Sequence, residues 1–390
     1  MSPATEERLR SRLREQTLPG EGEAAVRSWR VVEAALAERA PTGRPRRLVL
    51  RLALVAALLC AGLVAALTPA GAEVGDWIGD RFADRSDSAA PGFAGLPAGG
   101  SVLTISRSGA YAIDPDGGSQ RLGSFSDAGW SPHGVHVVGV DGRRLTAVDS
   151  TGIVKWTLAR RSRVHHPSWS TGLGYAVAYL EGGTLRVVEG TGDPDTDRRV
   201  RRGAAAVTPA WRPRSDRVLA YATDGGAIET VDVVTGRTLW QAPAGASRAP
   251  LALAWSRDAR RLVALSSHSV RVLGARGRVL RTIALPAAGH ELALHPSGRH
   301  AAVSVADAGG TRVLDVPLDG AGRPRQLFQG DVDGLAWSRD GRRLLLAWRD
   351  ADEWLLLGPG GRVRKALHGV SAELGAAGGF PRVAGWCCPR

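Results

Sequence analysis

One phrase, repeated at a nearly fixed interval, constrains this chain more than any other feature. It reads Ala128-Gly-Trp130-Ser-Pro-His-Gly134, then Pro167-Ser-Trp169-Ser-Thr-Gly, Pro209-Ala-Trp211-Arg-Pro-Arg-Ser, Leu253-Ala-Trp255-Ser-Arg-Asp-Ala, Leu292-Ala-Leu294-His-Pro-Ser-Gly298 and Leu335-Ala-Trp337-Ser-Arg-Asp-Gly341. The aromatic or equivalent positions lie 39, 42, 44, 39 and 43 residues apart, a period that houses four short strands with their turns. Pro at the first corner presets φ and Gly further on accepts a left-handed backbone, so the phrase reverses the chain between strands. Trp just ahead of the turn supplies a large apolar plate for packing one repeat against the next.

Each phrase is followed by a second apolar strand, as in Val135 to Val140, Leu262 to Ser266 and Leu344 to Trp348, and by a third after a polar turn, as in Leu145 to Asp149, Ile228 to Val233 and Trp354 to Leu357. A shorter, more polar fourth strand is readable at Val154 to Leu158, Thr238 to Gln241 and Val279 to Leu285. Upstream of the first phrase, Val102 to Ile105, Tyr111 to Asp114 and Gln120 to Leu122 supply second, third and fourth strands without a first. Downstream, Pro381 to Trp386 supplies a first strand without successors. Joining the two fragments predicts an all-β, seven-bladed propeller of four-stranded blades over residues 101–390, closed by its N-terminal and C-terminal strands so that sheet edges are protected. The structural repeat positions are Trp130, Trp169, Trp211, Trp255, Leu294, Trp337 and Trp386.

Leu52 to Leu67 carries no charge over sixteen positions, and residues 48–72 are long enough for a transmembrane helix. Arg44, Arg46, Arg47 and Arg51 precede it while Glu73, Asp76 and Asp80 follow. The positive-inside rule then leaves the N-terminus cytoplasmic and the propeller extracytoplasmic, a single-pass protein of the cell membrane in contact with its lipid. Two other readings compete: a buried soluble helix, and a signal peptide cleaved after Ala72, where Ala70-Gly71-Ala72 has the small-x-small form. Residues 1–47 read as a cytoplasmic helical segment, with Ala25, Trp29, Val32 and Leu36 on one stripe. Trp29 is its candidate docking residue toward the inner leaflet or a cytoplasmic regulatory partner. Residues 73–100 read as a juxtamembrane helix and a linker rich in Ser, Ala, Pro and Gly.

A formal net charge of +13, nearly all of its basic side being Arg, raises the question of nucleic acid. The basic residues are scattered through turns, with clusters only at Arg44 to Arg51 and Arg198 to Arg202, so no nucleic-acid partner is expected. The three cysteines, Cys60, Cys387 and Cys388, exclude a disulfide scaffold. Unpaired thiols are the default for the adjacent pair; a vicinal disulfide or an intermolecular bridge is the alternative.

No strong catalytic set is visible, and neither catalytic, metal nor cofactor residues are assigned. His165-His166, with Glu181 or Asp224, is the nearest approach to a metal site but lacks the short ligand spacing that zinc motifs show. Asp193, Asp195 and Asp197 alternate like a calcium loop without its glycine and distal glutamate, and read as an exposed loop. His133 and His295 occupy turn positions of the phrase. No GxSxG elbow is present, and Gly358 to Gly361 lacks the Lys-Ser/Thr of a phosphate cradle.

With these residues in view, 101–386 resembles the WD-repeat and TolB-like seven-bladed propellers, best at Trp130-Ser-Pro-His-Gly134 and Trp337-Ser-Arg-Asp-Gly341. The whole chain resembles uncharacterised actinobacterial single-pass membrane proteins, which implies an envelope location and no activity. Asp149 to Trp156 and Asp232 to Trp240 resemble quinoprotein repeats, in too few copies to imply the cofactor. The plan also resembles membrane anti-sigma regulators, but residues 1–47 hold no His or Cys for their zinc version. The expectation is a binding, sensory or scaffold module for an envelope protein or glycan. The alternative is a propeller hydrolase, lyase or quinoprotein-like oxidoreductase, which predicts acids and histidines gathered near the central opening.

Overall fold

A computed structural model describes residues 95–388 apart from 97–98, 173–174, 246–249, 321 and 376–378. The expected transmembrane helix at 48–72, the cytoplasmic segment with Trp29, and most of the linker lie outside the described residues. Among the described residues no helix is long and apolar enough to cross a membrane.

The described residues form seven four-stranded antiparallel sheets. Blade 2 is β4 (Asp127–Trp130), β5 (His136–Asp141), β6 (Arg144–Asp149) and β7 (Val154–Ala159); blade 3 is β8 (Val164–Trp169), β9 (Val177–Glu181), β10 (Thr184–Val188) and β11 (Arg198–Arg202). Blade 4 runs β12 (Ala210–Trp211), β13 (Val218–Ala222), β14 (Ile228–Asp232) and β15 (Thr238–Ala242), and blade 5 β16 (Ala252–Trp255), β17 (Arg261–Ser266), β18 (Ser269–Gly274) and β19 (Val279–Ala284). Blade 6 comprises β20 (Ala288–Leu294), β21 (His300–Asp307), β22 (Gly310–Pro317) and β23 (Arg325–Gln329); blade 7 comprises β24 (Val332–Trp337), β25 (Leu344–Trp348), β26 (Glu353–Leu357) and β27 (Val363–His368). Blade 1 joins the chain ends: β28 (Arg382–Cys387) is its first strand, followed by β1 (Ser101–Ser106), β2 (Gly109–Ile113) and β3 (Ser119–Gly123). Ser101 pairs with Cys387 and Val102 with Trp386, which is the closure predicted from the two terminal fragments.

The first strand of each blade touches the first strands of both neighbours all round the ring, so these seven strands line the centre. There is no single core. Seven buried clusters each combine residues of two adjacent blades, such as Val138, Leu145, Tyr179 and Val188 between blades 2 and 3, and Val102, Ile113, Leu345 and Trp354 between blades 7 and 1. Second strands are covered on both faces and therefore read as near-continuous apolar runs: Val137 to Val140 and Leu344 to Ala347 are fully or almost fully buried. Fourth strands bury little; in β7 only Leu158 is buried and in β19 only Ile283.

Three fourth strands escape sequence reading for this reason. Arg198–Arg202, read as a basic cluster, is β11, whose only buried residue is Val200; β23 buries none of its residues and β27 only Leu367. A short helix, α1 (Val370–Gly375), was also not anticipated. It seals the cluster between blades 7 and 1 with Val370 and Leu374.

The phrase itself does three jobs. Gly134, Gly298 and Gly341 take φ between +67° and +71°, where glycine is favoured. The serine after the Trp is buried and accepts from the first N–H of the second strand: Ser131 Oγ from His136 at 3.0 Å, Ser256 Oγ from Arg261 at 2.9 Å, Ser338 Oγ from Arg343 at 3.0 Å. The indole N–H reaches across to the preceding blade, Trp211 to the Ser168 carbonyl, Trp255 to Ala210 and Trp337 to Ala293, at 3.1–3.2 Å. Trp therefore fastens blades by a hydrogen bond as well as by area.

Cys387 and Cys388 are joined as a vicinal disulfide, their Cα atoms 3.7 Å apart. This is the alternative reading, not the default of free thiols. The turn of blade 2 packs over the pair, with Cys388 Sγ 3.0 Å from the Pro132 carbonyl oxygen, and so holds both sulfurs on one side.

Candidate functional site

The first strands all run in the same sense, so their first residues gather at one mouth of the central opening and the repeated aromatics at the other end. Polar side chains converge at the first mouth. Asp127 opens β4, His165 and His166 lie in β8, Glu291 in β20, Asp333 in β24 and Arg382 opens β28. Thr208 stands just ahead of β12, and Asp331 just ahead of β24. Six consecutive blades, from 6 round to 4, contribute.

These groups are joined in sequence around the arc. Arg382 Nη2 donates to Asp127 Oδ1 at 2.8 Å. The other Asp127 oxygen accepts the His166 backbone N–H at 3.1 Å and lies 3.6 Å from its Nδ1. His166 Nδ1 is 3.2 Å from Thr208 Oγ1. On the other side Arg349, at the end of β25, donates through Nε to Asp333 Oδ2 at 2.6 Å and lies 3.4 Å from Asp331. Between these two groups stands Glu291. Its Oε2 is buried with no hydrogen-bond partner, and burial, with the Asp333 charge adding to it, pushes its carboxyl up to about 7 against the pull of Arg382. Both histidines are driven the other way: burial lowers His165 and His166 below the ordinary imidazole value, so they are neutral at pH 7. Four carboxyl groups, Asp127, Glu291, Asp331 and Asp333, thus stand with three guanidinium groups, Arg163, Arg349 and Arg382. On a chain of strongly basic balance this mouth is locally acidic.

The backbone shows how these side chains are aimed. Every third-to-fourth strand pair carries a register shift, which makes that irregularity part of the repeat. First-to-second strand pairs differ: only four are shifted, at His165/Ser168, Gly289/Glu291, Val332/Leu335 and opposite Leu103/Thr104 in β28. Those four first strands hold His166, Glu291, Asp333 and Arg382. A bulge inserts an extra residue and re-aims its neighbours, and His166 and Gly334 sit within two of them at φ 54° and 126°. His166 is non-glycine, and such a backbone is held only where the surroundings impose it.

The arrangement offers a binding niche for a basic group and a carboxyl that exchanges its proton near neutral pH. Ser304 Oγ stands against Glu291 as well, accepting its backbone N–H at 3.0 Å. Among the described residues no group of three or more His, Cys, Asp and Glu is disposed to hold a metal ion.

Other residues singled out in the sequence are placed elsewhere. Glu181 is not beside the histidine pair: it is bound by Arg160 at 3.0 Å and by the N–H groups of Arg161 and Ser162. Asp224 lies close to Gly203. The three alternating aspartates separate, Asp193 capping a turn by accepting from Asp195 N–H, and Asp197 taking Arg160, Arg186 and the Tyr179 hydroxyl. His295 belongs to the phrase turn, 2.7 Å from Ser297 Oγ. Each repeat aromatic ends its first strand except Trp386, which precedes the last residue of β28. Asp127, Glu291, Asp333 and Arg382 were missed, although a positional signal exists. They stand three or four places ahead of Trp130, Leu294, Trp337 and Trp386, as His165 and His166 do ahead of Trp169.

No protein-family profile matches the chain, and no curated protein matches it. Among solved structures it is similar to the β-propeller domain of Cps50 (Swd1) from Myceliophteria thermophila, at 18% identity and a TM-score of 0.53, over 64% of this chain and 87% of that one. A likeness to hydrazine synthase of Kuenenia stuttgartiensis has 18% identity and a TM-score of 0.46, over 61% of this chain and 77% of that one. The chain is thus a seven-bladed β-propeller with a distant structural likeness to Cps50-type propellers.

Proposed function

We propose that this protein is a membrane-anchored, extracytoplasmic recognition module whose propeller takes a basic group of an envelope protein or ligand into the acidic mouth of its central opening. The observation that carries the reading is the buried, unpartnered oxygen of Glu291 beside Asp333. The Gly334 N–H bonds this carboxyl, but an oxygen left without a donor in a partly dry site is still costly, and an ammonium or guanidinium group from a partner removes that cost. The neighbouring Asp127 and Asp333 are already occupied by Arg382 and Arg349, which leaves Glu291 as the group facing the incoming charge. The apolar segment at 48–72, with arginines before and acids after, supports the anchor and the orientation; Trp29 is the residue through which a cytoplasmic partner would dock.

Crosslinking and mass spectrometry on the full chain in its native membrane tests this, with parallel samples lacking residues 1–47 or carrying Glu291→Gln. An outer partner retained on the deletion and lost in Glu291→Gln is expected, together with an inner partner lost on the deletion. No reproducible partner on either side, or an outer partner indifferent to Glu291→Gln, overturns the reading.

One observation favours a second reading. A carboxyl poised near pH 7 at the same mouth as a histidine pair is what the enzyme alternative asks of the central opening. A hydrolase or lyase screen on the purified chain, with turnover rising or falling through pH 7 and lost in Glu291→Gln, would move that reading ahead.

A further inference from the structure

At the end of the ring opposite the acidic mouth, adjacent blades meet at quasi-equivalent clefts, and two of these begin from the same pair of rings. Trp240 in the fourth strand of blade 4 faces Trp255 of blade 5; Trp156 in the fourth strand of blade 2 and Trp169 of blade 3 line one cavity. Even their anchoring matches, Trp240 Nε1 donating to the Ala275 carbonyl at 3.0 Å and Trp156 Nε1 to that of Gly190 at 2.8 Å. The clefts then diverge. Between blades 4 and 5 the rings close on one another, centroids 6.5 Å apart and edge to face, and the Arg212 guanidinium covers Trp255 at 5.9 Å. Arg212 is the residue directly after the repeat aromatic of blade 4. In blade 2 that position is Ser131, whose hydroxyl is turned into its own hairpin. Trp169 is no more exposed than Trp255, but it is His136 rather than a guanidinium that stands against it, and a cavity of about 620 Å³ lies between blades 2 and 3.

The walls of this cavity define a ligand class. Trp156, Trp169 and Tyr175 line it together with His133 and His136. The back of Trp156 is pressed on Gly192, where an added Cβ would come within 2.2 Å of the ring, so the indole is fixed. His136 stands 6.4 Å from Trp169 and His133 edge-on to Tyr175 at 6.1 Å. Two charged side chains reach the cavity, Lys155 and Glu189. Lys155 is neutralised by Asp149 at 2.8 Å, and Lys155 together with the Thr151 hydroxyl holds the Asp149 carboxyl far below its usual range. Glu189 has no cation bonded to its carboxylate among the described residues. The cavity therefore combines several aromatic surfaces with one unmatched negative charge.

We propose that this cleft is a binding site for a small organic cation, a methylated or alkylated ammonium, held by the aromatic side chains of Trp156, Trp169 and Tyr175 and balanced by Glu189. Aromatic faces attract such cations through their quadrupole, more strongly where water is excluded, and the volume falls in the range of small-molecule sites. An anion finds no free positive group here, and a neutral sugar leaves Glu189 unmatched. The site is independent of the acidic mouth and lies at the opposite end of the ring.

The test is calorimetry and tryptophan fluorescence of the purified full chain with choline, against its neutral carbon isostere 3,3-dimethylbutan-1-ol and against glucose. Choline is expected to bind at least about tenfold more tightly than the isostere, the difference that a partly desolvated cation–π contact supplies. Glu189→Gln, an exposed change that leaves the fold intact, is expected to weaken choline several-fold. Ser131→Arg, which transplants the plug of blade 4, is expected to abolish binding; if that chain fails to fold, Glu189→Gln and the isostere decide alone. Equal binding of choline and its isostere, preference for glucose, indifference to Glu189→Gln, or no binding of choline overturns the proposal.

Discussion

Glu291 is the residue on which the acidic mouth turns, and its titration gives a signed prediction. Its carboxyl is raised from the ordinary 4.5 to about 7 in the folded chain, so between these values the native state holds a proton that the unfolded state has released. Stability must then be greatest below pH 4.5 as far as this group is concerned, fall as pH rises to 7, and level off above. Glu291→Gln removes the penalty, and urea unfolding at pH 8 is expected to show a gain of up to about 3 kcal/mol. That gain should shrink to nothing near pH 4.5; an equal effect at both values would mean that packing, not charge, separates the two proteins. A second residue departs from the repeat in the other direction. Ala259 takes φ 58° at the turn position held by Gly134, Gly298 and Gly341, a backbone that costs an L-residue about 1–2 kcal/mol. After the entropy of glycine is deducted, Ala259→Gly should stabilise by about 0.5–1 kcal/mol in the same assay, and a loss would show that the Ala259 methyl contributes packing.

At the scale of the strand, what is legible follows from what repeats. Trp211, Trp255 and Trp337 each pack and fasten a blade, so they recur at one spacing and disclose the ring, including its closure by Pro381 to Trp386. Strands β11, β23 and β27 bury one residue or none each, so no apolar alternation marks them, and Arg198 to Arg202 looks like a charge cluster. The acidic mouth was illegible for a different reason. Asp127, Glu291, Asp333 and Arg382 are three different residue types at offsets of three or four from the repeat position, and the bulges that shift the strands of the last three leave no trace in composition. Only the alignment of blades by their aromatics brings them into one column. Asp127 then acts between elements, accepting Arg382 of the closing strand on one oxygen and the His166 N–H of blade 3 on the other. Asp127→Asn keeps the volume and removes the charge, and with Arg382 partly exposed the expected loss is about 1 kcal/mol. Hydrogen exchange should localise that loss to the amides of β28 and the start of β8; uniform protection across the ring would show that the contact fastens neither.

At the scale of the molecule the absence of a central core makes closure the decisive event. Each buried cluster belongs to two neighbouring blades, so a ring of six complete interfaces still exposes two apolar blade faces until the seventh forms. Blade 1 completes that seventh contact only when Ser101 pairs with Cys387, 286 positions away. Bringing such distant segments together costs about 5 kcal/mol of chain entropy, against about 2 kcal/mol for a hairpin of eight or so residues. Topology of this kind slows folding more than it alters stability. The contact also offers its own experiment, because Gly100 lies so near Cys387 that a Cβ there would stand 2.1 Å from its carbonyl oxygen, and a short linker from residue 388 to residue 99 spans the gap. A chain of residues 99–388 so permuted, with new ends in the exposed Arg161 to Arg163 connection, has seven blades each continuous in sequence. Its refolding should be at least about tenfold faster than that of the same residues in native order if closure precedes the transition state. Its unfolding should also quicken, since the ends of the permuted ring are held by side-chain packing between blades 2 and 3 without a shared strand. Equal refolding rates would place closure after the barrier, and the shared strand would then act chiefly as a brake on opening.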